Sequence, residues 1–187
     1  MTDKNKFLKL LEQRVLWLSC WMIHNANHIR ENIDGLKVGG HQASSASIVS
    51  IMTALYFDIL KPEDRVAVKP HASPVFHAIQ YLAGLQTKEK IQNFRGFGGA
   101  QSYPSRTKDI DDVDISTGSV GLGVAMTSFM SLIQDYISQK EFTKNIPQGR
   151  MIALVGDAEL DEGNVYECLQ EGWKHNLRNV WWIIDYN

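Results

Sequence analysis

This sequence predicts a three-layer α/β/α domain built on a mostly parallel sheet, and three observations carry that expectation. The C-terminal stretch sets two apolar runs, MIALVGD and NVWWIIDYN, on either side of a segment with helical spacing, the layout of a parallel strand–helix–strand crossover. Further upstream, helical segments and loops alternate with another short apolar run inside DRVAVKPHASP. The composition is that of a globular protein: 44% hydrophobic and 21% charged residues in 187, enough for one domain with a full core.

Taken in order, residues 6–28 place Phe7, Leu8, Leu11, Val15, Leu18, Trp21 and Met22 near helical period, predicting an amphipathic first helix. NIDGLKVGGH follows, a loop with three glycines and an Asp-Gly turn signal. QASSASIVSIMTALYFDIL then resumes helical spacing. After the DRVAVKPHASP strand come two short helices, VFHAIQYLAGL and TKEKIQNFR, the second opening on Thr87 as a cap. Residues 96–118, GFGGAQSYPSRTKDIDDVDISTG, are too polar and glycine-rich for a regular element, and a loop of that length in a compact domain is often functional. SVGLGVAMTSFMSLIQDYISQ is a further helix opening on glycines, KEFTKNIPQGR a surface connection, and the final unit runs strand, helix from about Asn164 to His175, strand.

Composition also excludes function classes. A net charge of −2 gives no general reason to expect nucleic acid or an anionic membrane as partner. Apolar runs are only a few residues long and the N-terminus lacks the apolar stretch of a signal peptide, so the expectation is a cytoplasmic chain without a membrane span. Cys20 and Cys168 lie in apolar helical patterns without metal-type spacing, which predicts buried thiols.

The chemistry is expected at the ends of the last two strands. In a parallel crossover Asp157 and Asn187 both arrive at the carboxyl edge of the sheet, where open α/β folds bind ligands. An aspartate and an asparagine offer hard oxygen donors suited to Mg²⁺, whose remaining positions go to waters and phosphate oxygens. Gly156 and Gly163 let backbone approach a phosphate, and the helix starting near Gly163 turns its N-terminal amides toward it. GSVGLG is not read as a nicotinamide fingerprint: it follows a polar loop instead of a strand, and no acid stands about twenty residues on to hold a ribose.

Gly156-Asp157, Glu162, and Asn187 thirty residues after Asp157 resemble the thiamine-diphosphate signature. DGLKVGGH, HASP, NFR, SYP and STGSVGLG look like the diphosphate-binding domain of homodimeric pyruvate dehydrogenase E1 enzymes, with a secondary similarity to transketolases. The resemblance runs from Asp34 to Asn187 and implies the thiamine-diphosphate-binding fold, with thiamine diphosphate and Mg²⁺ as cofactors. It implies that His41 and His71 line the cofactor and substrate pocket as catalytic residues, beside Ser44, and that Tyr103 lies near the diphosphate. Ser119, Val120 and Gly121 correspond to the loop whose backbone passes the cofactor, Glu162 to an acid next to the metal motif, and Asp157 with Asn187 to the metal ligands. His24, His28, His77 and His175 lie in helical segments and are expected to be packing or surface residues.

Three departures stand out. Ala158 occupies the signature's third position, where glycine is usual, and requires the backbone there to avoid a positive φ or to tolerate it at some cost. Lys69 replaces the family's glutamine two residues before the second histidine, putting a cation where a neutral amide usually sits. The sequence ends before the residue that completes the metal site in relatives, so the resemblance implies residues 1–187 as one truncated diphosphate-binding domain without a pyrimidine-binding domain. The implied activity is a 2-oxo acid (pyruvate) dehydrogenase of E1 type, an oxidoreductase, with a lipoyl acyltransferase as acceptor. The alternatives are a transketolase moving a two-carbon ketol unit, or a non-catalytic remnant of the fold. A pyrimidine-binding domain or subunit and a homodimer are the implied partners, with exposed apolar surface around Trp181 and Trp182.

Overall fold

Three strands, β1 (Arg65–Ala67), β2 (Met151–Gly156) and β3 (Val180–Asp185), form a parallel sheet in that order, β2 in the middle. Register pairs Ala67 with Ala153 and Gly156 with Asp185, so all three strands leave at one edge. The computed structural model of the chain describes residues 2–31, 35–118, 120–142 and 146–186. These divide into two compact units, Met1–Leu60 with Pro70–Val113, and Lys61–Lys69 with Asp114–Asn187.

The second unit contains the sheet and two helices, α6 (Leu122–Gln139) and α7 (Gly163–Lys174). β2 is buried from Met151 through Val155, as a continuous apolar run in the centre of a parallel sheet requires. Val124, Ala153, Val155 and Val165 form its core, with Cys168, Leu169 and Trp182 packed against them. A side chain at position 172 would lie 2.7 Å from the Trp182 ring, so Gly172 is what lets the indole seat on α7. Trp182 is therefore drawn into the core, while Trp181 is 37% exposed with the Arg150 guanidinium 4.3 Å from its ring centroid. The opposite edge is fixed by Asp64, which accepts the Arg150 backbone N–H at 2.7 Å, the Lys61 N–H at 2.9 Å and the Arg150 guanidinium, tying the start of β1 to the start of β2.

The first unit is helical. α1 (Asp3–His24) opens on Thr2, whose hydroxyl accepts the Asn5 N–H, and runs on into a π-helical turn, Asn25–Ile29. Its expected apolar stripe is buried at Val15 and Met22, whereas Phe7 in the first turns is 61% exposed. The long helical stretch after His41 is broken into α2 (Gln42–Ala46), α3 (Val49–Ala54) and a π turn, Leu55–Ile59. α4 (Ser73–Leu82) is buried almost throughout, and α5 (Lys88–Gln92) begins as expected on the Thr87 cap, whose side chain accepts the Lys90 N–H. Both cysteines are half-buried and free, and burial raises the pKa of each thiol. No helix among the described residues is long and apolar enough to cross a membrane.

Residues 96–118 contain no helix or strand, as their composition predicts. Side chains supply the order that regular backbone pairing does not. Asp109 accepts the Gln101 N–H at 2.9 Å and the Ser105 N–H at 2.8 Å. Asp111, buried, faces His77 Nδ1 at 2.7 Å and accepts from Gln86 Nε2, while the other His77 nitrogen donates to the Gln101 carbonyl at 2.8 Å. His77 is thus a packing residue, as expected for a helical histidine, but one whose two nitrogens anchor the loop.

Candidate functional site

In the second unit, Gly121, Gly156, Asp157 and Glu159 lie together at the carboxyl edge of the sheet. Gly121 caps α6 with φ +79° and ψ −19°, a left-handed conformation that glycine reaches without a Cβ penalty. A Cβ there would also approach Asn164 Oδ1 to 2.8 Å and Val165 Cγ2 to 3.1 Å, so this glycine is required on two counts. The segment before it is tied to the exit of β1, where the buried Thr117 hydroxyl donates to the Val68 carbonyl at 2.8 Å. Val120 is 41% exposed.

Gly156 ends β2, and Asp157 opens a 3₁₀ turn, Asp157–Asp161, that leads through Glu162 into α7. The Gly156 N–H donates to Glu159 Oε2 at 2.6 Å and the Gly121 N–H to Glu159 Oε1 at 3.2 Å. Two backbone amides, one from each glycine loop, therefore converge on the two oxygens of a single anion, which here is the chain's own carboxylate. That is the donor geometry a phosphate group would use. Beside it, Asp157 is half-exposed and its side chain has no hydrogen-bond partner among the described residues, leaving the carboxylate oxygens open to a hard cation. The residues present thus fit a diphosphate and a divalent ion.

Ala158 sits in the 3₁₀ turn and is not among the described non-glycine residues with positive φ, which are Arg95, Glu141 and Asn176, so the backbone accommodates alanine without strain. Glu162 is exposed and stands at the N-cap of α7 without a side-chain cap bond. Asn187 and Ser119 lie outside the described residues. Two groups complete this edge, and of their residues only Lys69 was singled out in the sequence. Lys69, two residues beyond β1, and Asp185, the last residue of β3, form an ion pair at 2.5 Å with both side chains 5% exposed. Glu159, which clamps the two glycine amides, is the other.

In the first unit, His41 is exposed at the N-cap of α2, and exposed His71 lies in a 3₁₀ turn, Pro70–Ala72. Ser45, a neighbour of the half-buried Ser44, donates its hydroxyl to the His71 carbonyl at 3.0 Å, linking the two histidine-bearing segments. The Gly39-Gly40 loop before His41 is held by Asn27, which accepts the Gly39 N–H at 2.6 Å, and by Arg95, which donates to the Val38 carbonyl at 2.8 Å. Gly40, at φ +89°, lies so close to the guanidinium that a Cβ would be 3.2 Å from both terminal nitrogens. Burial pushes the Arg95 pKa down, opposed by the neighbouring Tyr103, itself 47% exposed. Asn27 and Arg95 carried no motif-level signal beyond the arginine's place in NFR.

Among the described residues, the three metal-capable side chains in mutual reach are His77, Asp109 and Asp111. Their polar atoms are spent on the loop bonds described above, which makes the group a structural network.

The sequence matches the family described as "Transketolase, thiamine diphosphate binding domain" over residues 36–187. It is 30% identical over 159 residues to transketolase-like protein 2 of Mus musculus, covering 79% of this chain and 24% of that protein. It is 26% identical over 184 residues to the pyruvate dehydrogenase E1 component of Mycolicibacterium smegmatis, covering 92% of this chain and 19% of that protein. The fold is that of transketolase from Leishmania mexicana, with a TM-score of 0.82 at 17% identity over 96% of this chain and 27% of that one. Transketolase from Campylobacter jejuni gives 0.77 at 22% identity, covering 98% of this chain and 28% of that one. The chain thus spans about a quarter of the transketolase-like relative and a fifth of the E1 relative. On the breadth of the family match, the chain belongs to the transketolase thiamine diphosphate-binding domain family.

Proposed function

We propose that this chain binds thiamine diphosphate with Mg²⁺, and that it supplies the diphosphate-binding part of a pyruvate dehydrogenase E1-type enzyme. The observation that supports this most directly is the pair of amides, Gly121 and Gly156, held on one anion beside the Asp157 carboxylate, which has no hydrogen-bond partner among the described residues. Asp157 and Asn187 are the metal ligands in this reading. Ser119, Val120 and Gly121 pass the diphosphate, with Ala158 and Glu162 flanking the metal motif. The Gly121 and Gly156 amides would hold the diphosphate in place of the Glu159 carboxylate that they now bind. When bound, thiamine diphosphate would supply the nucleophilic chemistry for cleaving a 2-oxo acid next to its carbonyl. His41 and His71 serve as polar groups toward substrate, with Ser44 and Tyr103 beside them. The pyrimidine end of the cofactor calls for a complementary domain or subunit, in a cytoplasmic homo-oligomer that passes its product to a lipoyl acyltransferase.

A transketolase is the second reading. It is favoured by the higher identity to a transketolase-like protein, whereas the E1 reading is favoured by similarity over 92% instead of 79% of the chain.

Isothermal titration of thiamine diphosphate into the chain, with and without Mg²⁺, tests the common core of both readings. Binding is expected with Mg²⁺, at least about tenfold weaker without it, and equally weak in Asp157→Ala, as for the loss of a charged metal ligand. Wild-type protein that binds with the same affinity with and without Mg²⁺, or not at all, overturns the proposal.

A further inference from the structure

The Lys69–Asp185 ion pair crosses the edge of the sheet at which β2 delivers Asp157. Lys69 follows β1 by two residues, Asp185 ends β3, and between them stands Gly156, the residue paired with Asp185 and the one immediately before Asp157. The Lys69 ammonium lies 3.7 Å from where a Cβ on Gly156 would be, so the pair passes directly beside the end of β2. Both side chains are 5% exposed and their charged atoms are 2.5 Å apart.

A pair this buried is a poor source of stability, because the loss of hydration on both charges offsets most of their attraction, and a well-packed apolar pair often serves a fold as well. What it supplies and an apolar pair does not is direction. An ammonium held against a carboxylate fixes the distance between the segments that bear them, and hydrophobic contact is non-directional. The segments fixed here are the exits of β1 and β3, on either side of the end of β2. Asp157 is one residue beyond Gly156, and Asn187 is two beyond Asp185.

We propose that Lys69 and Asp185 are positioning residues, a buried electrostatic strap that holds the exits of β1 and β3 on either side of β2 and so fixes the place of the metal ligand Asp157. The inference rests on the thiamine diphosphate and Mg²⁺ reading. It has a specific consequence for metal choice, because Mg²⁺ demands near-ideal octahedral geometry at about 2.0–2.1 Å whereas Ca²⁺ accepts irregular ligand sets at about 2.3–2.6 Å. Loosening the strap costs Mg²⁺ more than Ca²⁺.

The test compares wild type, the apolar pair Lys69→Met/Asp185→Leu and the swapped pair Lys69→Asp/Asp185→Lys, using the full chain. Thiamine diphosphate is titrated in the presence of Mg²⁺ and, separately, Ca²⁺, and hydrogen exchange is followed on the ligand-free proteins. For the apolar pair, the expected result is a fold that still melts cooperatively, a loss of about tenfold or more in Mg²⁺-supported affinity, and a loss below about threefold with Ca²⁺. The swapped pair restores the preference for Mg²⁺ and serves as the test if the apolar pair does not fold. Equal losses with the two ions, or no loss, overturn the strap, as does a folded swapped pair without the preference. If wild type binds thiamine diphosphate with neither ion, the parent reading has failed, and hydrogen exchange then decides the strap by itself. Faster exchange across residues 157–162 in the apolar pair, with the swapped pair protected, supports it. Unchanged exchange in the apolar pair overturns it.

Discussion

Asp64 shows how single side chains set the conditions under which this protein holds together. Burial alone pushes its carboxyl up, but hydrogen bonds from Arg150 and from the Lys61 amide outweigh that and lower its pKa from 3.8 to about 2. Because the folded value lies below the unfolded one, the stabilisation is complete above about pH 4 and is lost as pH falls toward about 2. Urea denaturation followed by circular dichroism is expected to show wild-type stability falling across that window. Asp64→Asn is expected to flatten that part of the profile and to be less stable at neutral pH by about 2 kcal/mol. At this scale the sequence is legible where a residue acts through its own backbone position. Gly121 opens the helix expected to begin on glycines, Gly156 ends the strand read from its apolar run, and Thr87 caps the helix it was expected to cap. It is illegible where a residue acts through a distant partner: Lys69 meets Asp185 across 116 residues and His77 meets Asp111 across 34, with nothing in local spacing to announce either.

Among the elements, the strand–helix–strand run at the C-terminus is the part the sequence declares best, because an unbroken apolar strand and an amphipathic helix each bury one recognisable pattern. α7 spans Gly163–Lys174 against an expected 164–175. What the pattern does not declare is how α7 meets β3. The Trp182 ring occupies the space a side chain at 172 would need, so Gly172→Ala, which raises helix propensity, is nonetheless expected to destabilise the protein by about 1–3 kcal/mol through overpacking. Thermal unfolding by calorimetry, with the exposed Gly163→Ala as a control where a Cβ meets open space, checks this. The π turns at Asn25–Ile29 and Leu55–Ile59 were equally hidden, since widening a helical turn by one residue leaves the apolar spacing nearly intact. The break between α2 and α3 was hidden as well, because Ser47 and Ile48 keep right-handed helical backbone and do not disturb the apolar spacing.

For the whole molecule, membership in the family was legible from several short motifs in one order, each weak alone. The division into two units was not, because the chain enters the second unit at residue 61, leaves it at 69 and returns at 114, and no composition change marks those crossings. β1 belongs to the second unit by its pairing with β2, yet is encoded in the middle of the first unit's sequence. A fragment starting at residue 114 therefore keeps β2, β3 and both helices but strips β1 from the flank of β2. The uncovered backbone of Met151, Ile152 and Ala153 then becomes a flat apolar edge free to recruit a strand from another copy. Light scattering of such a fragment should rise with concentration while the full chain stays clear, and a synthetic peptide spanning residues 61–69 should suppress the rise.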